Sequence, residues 1–349
     1  MLPLLLPLPL IVIANWNVAP PQGDSWTAAA ARALGSALWG LLAAVTLLSG
    51  LLGLWTMVAP PPQRSLIYGL SVLAATGLAA ALLFGPVRQR AARVIPIDAE
   101  SGLDATALVL VVVLLGFLLG NQLSVDVLAE QARSGPSLGP LDVIGQELPF
   151  LVAAFLGVGL FTRRPLRASL DRLGLLRPAA WQVFLALAAA GAFLAFSGGI
   201  EALSQILTPE LAQKVNNANQ RLFGRLDDPA GIATIALAAG ICEETLFRGA
   251  LQPRLGLVLT SLAFAAVHSQ YGISLDVLAV FVLALCLGAL RRFTNTSTAM
   301  IAHVTYNALV GFGVTQRWLP LAVAGEAALV LLAVGLFFTG RVGASRFAK

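Results

Sequence analysis

Charge is what this 349-residue chain has least of: Asp, Glu, Lys and Arg make up 11% of it, against about a quarter in soluble proteins. A chain so poor in charge and 58% hydrophobic cannot cover a water-facing surface, and no polar domain interrupts its aliphatic runs. Cysteine is equally scarce. Cys242 and Cys286 both lie in apolar runs, which excludes a disulfide framework and leaves two small hydrophobes. No Gly-x-x-x-x-Gly-Lys loop is present to support a nucleotide-driven function, and no Gly-x-Gly-Asp aspartate motif occurs. Met1 to Ile13 is apolar but has no basic residue and contains three prolines, so it reads as a poor cleavable signal that stays in the mature protein. The net charge of +5 comes from basic residues in short loops between apolar runs. That is the positive-inside distribution of a membrane protein, and no nucleic-acid partner is expected.

What the chain has is hydrophobic length. A helix needs about 20 apolar residues to cross the hydrocarbon core. By that measure, spans are expected near 34–59, 66–85, 105–121, 148–162, 179–199, 230–250, 256–270, 275–291, 298–315 and 319–340. The fold class is therefore all-α, a polytopic transmembrane helix bundle of about ten spans. Pro60 to Pro62 close the first span, Gly198 and Gly199 loosen the end of the fifth, and Asp228-Pro229 forms an N-cap and first turn for the sixth. Arg88, Arg90 and Arg93, then Arg163 to Arg177, Arg291 and Arg292, and the tail Arg341, Arg346 and Lys349 all follow even-numbered spans. They can share one side, which the rule makes cytoplasmic. The chain divides softly at the basic stretch 163–178, read as an amphipathic surface helix or an arginine-rich loop. Residues 1–162 are then an N-terminal helical module of unknown role, 163–340 a core and 341–349 a basic cytoplasmic tail.

Five ionisable groups stand out because they fall inside apolar stretches. They are Glu243, Glu244 and Arg248, then His268, then His303, with Asn307 four residues further on. A charge at mid-bilayer costs about 2.5–3.5 kcal/mol on insertion scales, so such residues mark functional sites facing a bundle interior. Counting inward from Arg254 and Arg292, Glu243, His268 and His303 all lie about 16–21 Å deep at 1.5 Å per residue. Glu244 and Arg248 are four apart and suit an ion pair, which turns Glu243 away and leaves it free for chemistry. His303 and Asn307 share a face and offer two donors suited to an oxyanion. Glu243 with His268 could hold and deprotonate a water.

These residues resemble the intramembrane proteases that cleave prenylated CAAX proteins and process bacteriocins, the CPBP or Abi family. Its pattern is Glu-Glu-x-x-x-Arg, then Phe-x-x-x-His, then His-x-x-x-Asn, and here it reads Glu243 to Arg248, Phe264 to His268 and His303 to Asn307. The resemblance covers about residues 165–320 and includes the Leu-Gly-Leu-Leu-Arg-Pro stretch at 173–178. It implies an endopeptidase in which Glu243 and His268 activate water while His303 and Asn307 stabilise the tetrahedral intermediate. Glu244 and Arg248 are then structural and electrostatic. The family is described both as metallo-enzymes and with a glutamate-only mechanism, and the choice stays open here. Glu243, His268 and His303 would suffice for a catalytic zinc with an open position, yet no His-Glu-x-x-His fixes two ligands on one helix. The expected partners are a membrane-associated protein or peptide substrate and membrane lipid, in a bacterial plasma membrane. A non-catalytic membrane scaffold or immunity factor with the same fold, and a proton-coupled transporter, are the alternatives from other classes.

Overall fold

The computed structural model describes residues 7–18, 25–61, 63–135, 137–313 and 319–346. The described residues are helical, with no named strand. In the N-terminal half these are α1 (Pro7–Val18), α2 (Ser25–Val58), α3 (Leu66–Leu82), α4 (Gly85–Ala91), α5 (Gly102–Ser124), α6 (Val127–Ser134) and α7 (Pro140–Val158). There follow α8 (Leu166–Leu173), α9 (Ala180–Leu207), α10 (Pro209–Phe223), α11 (Pro229–Glu243), a π-helical segment (Glu244–Leu251), α12 (Gln252–Val267), α13 (Leu275–Phe293), α14 (Thr296–Gly311) and α15 (Leu319–Arg346). Small polar side chains start them. Ser65, Ser101, Asp228 and Asn295 each accept a hydrogen bond from a backbone N–H in the first turn of the helix they precede. Asp228 and Pro229 take the N-cap and first-turn positions that the sequence suggested. Gly198 and Gly199 do not loosen α9, which runs through both to Leu207.

Among the described residues five helices are long and apolar enough to cross a membrane, or six if the bent pair α3 and α4, at 101°, is one span. The expected count of about ten is not confirmed by length and composition. The 16-residue α14 is shorter than a full crossing, and α13 carries Asp276, Arg291 and Arg292 at its ends. The 39 residues Pro229–Val267 are formally continuous, but Gly256 breaks them with φ 77° and ψ 173°. A straight helix would hold Phe247 and Phe264 about 26 Å apart. Their rings are 5.1 Å apart, so the chain reverses at Gly256, where a left-handed φ favours glycine. That reversal makes two arms of what length alone counts as one span, as the separate stretches 230–250 and 256–270 suggest. It brings His268 back beside Glu243.

The N-terminal helices pack against the later ones. One hydrophobic cluster contains Leu10, Leu38 and Val109 together with Phe247, Phe264 and Ala284. Polar ties cross the same boundary: Arg254 pairs with Asp104 at 2.7 Å, and Gln122 Nε2 donates to the Ser269 carbonyl at 3.1 Å. Glycines bring the N-terminal helices into close contact. A Cβ on Gly69 would lie 2.3 Å from Met57, and one on Gly116 2.2 Å from the Ala75 Cβ. Of the expected basic tail 341–349, α15 continues to Arg346, and residues 347–349 lie outside the described residues.

Candidate active site

Three elements meet at the polar centre. The α11–π junction supplies Glu243 and Glu244, the C-terminal end of α12 supplies His268, and α14 supplies His303. The structure brings Glu243, Glu244, Arg248, His268 and His303 into one cluster. Glu243 is 6% exposed, Glu244 fully buried and Arg248 1% exposed. Glu244 Oε1 takes both the Arg248 Nη1, at 3.0 Å, and the His303 Nδ1, at 2.9 Å. A buried carboxylate ionised by an arginine can only accept, so His303 donates from Nδ1 and its ring is fixed. His268 Nδ1 lies 2.7 Å from the Phe264 carbonyl, which also can only accept. Both rings therefore turn Nε2 toward Glu243, His268 at 3.9 Å from Oε1 and His303 at 3.9 Å from Oε2. Asn307 is half-buried one turn beyond His303 on the same face of α14, and no described side chain bonds its amide.

The local backbone explains why the acidic pair is placed so. Glu244–Leu251 is π-helical, a rare form frequent at functional sites, and Thr245 Oγ1 donates back to the Ile241 carbonyl at 2.6 Å. Phe264 and Phe247, read from the sequence as packing, do pack. Phe264 lies under the Arg248 guanidinium at 4.2 Å and edge-on to Phe247. Arg248 Nη2 also donates to the Ala284 carbonyl at 3.3 Å, tying the ion pair to α13. Gly240 sets the approach of α11 to α14. A Cβ there would lie 2.4 Å from Val304 Cγ2 and 3.0 Å from the Val304 backbone nitrogen. Gly240→Val is accordingly expected to push α14 outward and pull His303 off Glu244, costing about 1–3 kcal/mol from overpacking. Thermal unfolding in detergent, together with activity per folded molecule, checks this; an unchanged midpoint with full activity would show that α14 can give way.

One acidic residue was not singled out from the sequence. Glu147 on α7 faces a groove of about 360 Å³ with Ile144, Leu148, Leu237, Ile241 and Cys242. Its Oε2 is buried without a partner, and it lies within electrostatic reach of Glu243. The signal was present but weak, since the uninterrupted apolar run begins at Leu148, whereas α7 begins at Pro140. A Gly-x-Ser-x-Gly spelling also occurs, as Gly135-Pro136-Ser137-Leu138-Gly139, but it joins α6 to α7 rather than a strand to a helix, so it forms no nucleophile elbow. Glu326 on α15 packs against Gly191, away from the cluster.

The donor types around Glu243 are those of a catalytic zinc site, but the spacing is not. Ligands about 2.0–2.1 Å from a tetrahedral zinc stand about 3.4 Å from one another, less than the two 3.9 Å separations here. Among the described residues no three His, Cys, Asp or Glu side chains are grouped as metal ligands. As placed, Glu243, His268 and His303 are spaced more widely than a tetrahedral zinc would hold them.

Residues 226–309 match the family described as "Type II CAAX prenyl endopeptidase Rce1-like". All seven motif residues from Glu243 to Asn307 fall inside the match, which is narrower than the 165–320 expected from the motifs. The resemblance to CAAX-type intramembrane proteases is thereby confirmed for this segment. A protein of Bacillus subtilis (strain 168), "Uncharacterized protein YpbD", is 36% identical over 94 residues, covering 26% of this chain and 49% of that protein. The chain thus spans about half the length of this curated relative. No solved structure matches.

Proposed function

We propose that this integral membrane protein, with its Rce1-like segment, is an endopeptidase that hydrolyses a peptide bond of a membrane-associated protein or peptide by glutamate-activated water. The observation that carries the reading is that the Nε2 atoms of His268 and His303 stand 3.9 Å from opposite oxygens of one buried carboxylate, Glu243. Such gaps are too long for direct hydrogen bonds and suit a shared water. With Nδ1–H engaged by the Phe264 carbonyl, neutral His268 offers a lone pair at Nε2. A water between it and Glu243 Oε1 would donate one hydrogen to each and aim its own lone pair at a substrate carbonyl.

As the water oxygen bonds to the carbonyl carbon, Glu243 takes the proton and the carbonyl oxygen becomes an oxyanion. His303, as an imidazolium, would donate from Nε2 to that oxyanion while Nδ1–H stays on Glu244, and the Asn307 amide adds a second donor. With both glutamates ionised and Arg248 and His303 charged, the four buried groups sum to zero, which limits the cost of burying them. Glu243 then returns its proton to the leaving nitrogen as the C–N bond breaks, giving a carboxylic acid and an amine. The family description supports a prenylated peptide as the first substrate to try. Protein reconstituted in liposomes is to be given a prenylated C-terminal peptide and an unprenylated transmembrane peptide, with products identified by mass spectrometry. Cleavage of neither, alongside transport of a solute or proton, would replace the peptidase with the transporter reading; cleavage of neither with no flux would favour the scaffold.

Because the donors are too widely spaced to share a zinc, no step above is routed through a metal. Activity is expected to survive prolonged treatment with a strong chelator, within about twofold, since a water-activating glutamate needs no cation. Loss of activity that added zinc restores would show that the three side chains close around a metal.

A further inference from the structure

We infer that the arginine-lined end of the bundle is a binding site for a phosphate-bearing anion, filled by the headgroup of an anionic phospholipid. Five half-buried arginines from four elements gather there: Arg163 and Arg164 in the loop after α7, Arg172 in α8, Arg254 in α12 and Arg291 at the end of α13. One carboxylate answers them, that of Asp104, and Arg254 already holds it at 2.7 Å. Asp171 is exposed and forms no ion pair with any of the five. Arg164 donates to the Val158 carbonyl, but the Nε atoms of Arg163 and Arg291 are buried with no acceptor, as is the Thr162 hydroxyl. Burial, and then the charges of Arg164, Arg254 and Arg172, push the Arg163 guanidinium down to about 10; Arg172 is lowered by burial and by Arg254, Arg164 and Arg291. These cations repel one another in a partly desolvated setting and lack a counter-charge. Phosphate oxygens would supply it, since guanidinium groups bind them bidentately.

The shape and position of the site select the source. The loop Phe161–Pro165 lines an open depression of about 290 Å³. Gly159 turns at φ 89°, its carbonyl accepts from the Arg163 and Arg164 backbone nitrogens, and the turn places Phe161 at φ 61°. A left-handed backbone is uncommon for so bulky a residue, and here it leaves the Phe161 ring 89% exposed beside the cations. The frame is fixed on its other side, where Thr296 donates from Oγ1 to the Leu173 carbonyl at 2.6 Å and from its backbone to that of Gly174 at 3.0 Å. All five arginines sit near where the apolar helices α7, α12 and α13 end or begin, the part of a bundle that meets headgroups. A basic pocket with an exposed aromatic at that level is arranged for a phosphate above and an acyl chain beside the ring.

The test uses the full chain purified in detergent and measures retention of phosphatidylglycerol and phosphatidylcholine by native mass spectrometry, with inorganic phosphate titrated separately in a thermal-shift assay. Wild type is expected to hold phosphatidylglycerol about tenfold more tightly than phosphatidylcholine, and Arg163→Gln/Arg172→Gln to erase that preference. Phe161→Ser should weaken the lipid and leave any response to inorganic phosphate unchanged. A wild-type response to inorganic phosphate without lipid preference would keep the anion site and assign it to a soluble phosphate. Equal retention of both lipids with no phosphate response overturns the proposal, and so does a double variant that still prefers phosphatidylglycerol. Should the double variant elute as aggregate, the single Arg172→Gln, on the surface helix α8, is read by the same criteria.

Discussion

Glu243→Gln is expected to lower hydrolysis by about 10²–10⁴-fold, the range ascribed to a positioned acid–base group. Glutamine matches glutamate in size and can still hold a water, so the pocket keeps its shape. What it loses is the ability to take the proton as the water oxygen attacks and to return it to the leaving nitrogen. Removing a charge from a residue that is 6% exposed, beside Glu147 and Glu244, should leave stability unchanged or slightly raised. The discriminating measurement is turnover per folded molecule together with the unfolding midpoint. Retained turnover in a purified, well-folded variant would remove Glu243 from the chemistry altogether.

Arg248→Ala should act on folding before it acts on rate. Arg248 is fully enclosed, with Glu244 on one side, the Ala284 carbonyl on another and the Phe264 ring below. Truncation leaves the Glu244 carboxylate buried without its cation, a change worth about 3–5 kcal/mol, which is a large part of the 5–15 kcal/mol or so that holds a typical domain together. Folded yield should fall steeply. Pairing the change with Glu244→Leu removes the stranded charge and should recover much of the yield, because deleting both members of a buried pair is often near neutral. Activity should not return with it, since His303 would have lost the acceptor that orients its ring. An Arg248→Ala protein that is stable yet inactive would move Arg248 from support into the reaction.

Much of the site was legible because its chemistry contradicts its surroundings. Charged residues in apolar runs are conspicuous, and depth counted from Arg254 and Arg292 placed three of them at one level before any contact was known. The structure supplies what spacing could not. Helical periodicity gives no warning of the π-helical turn at Glu244, nor of Gly256, whose reversal depends on a backbone conformation rather than a hydropathy change. The count of about ten spans is not confirmed for a related reason: α14 and the arm after Gly256 are apolar enough to notice but shorter than a full crossing. Glu147 was missed because it sits at the edge of a hydrophobic run, where an acidic residue looks like a boundary. The anchoring of the N-terminal helices was invisible as well, since apolar faces do not state their partners, and only packing joins Leu10 and Val109 to Phe264.

The π-helical segment gives the chain a slack residue at the site. A π turn amounts to one residue more than an α-helix would use over the same stretch, so deleting a single residue between 244 and 248 would let it relax to ordinary α geometry. The helix beyond would stay near its present phase, and Arg254 would still face Asp104. The loss would be local: Glu244 and Arg248, now four apart and paired at 3.0 Å, would stand three apart on a narrower turn. The α-helical part of α11 has no such slack, and one residue added there would turn everything after it by about 100°, the angle between successive α-helical residues. His268, on the arm that returns from Gly256, would then be delivered to a different wall of the bundle.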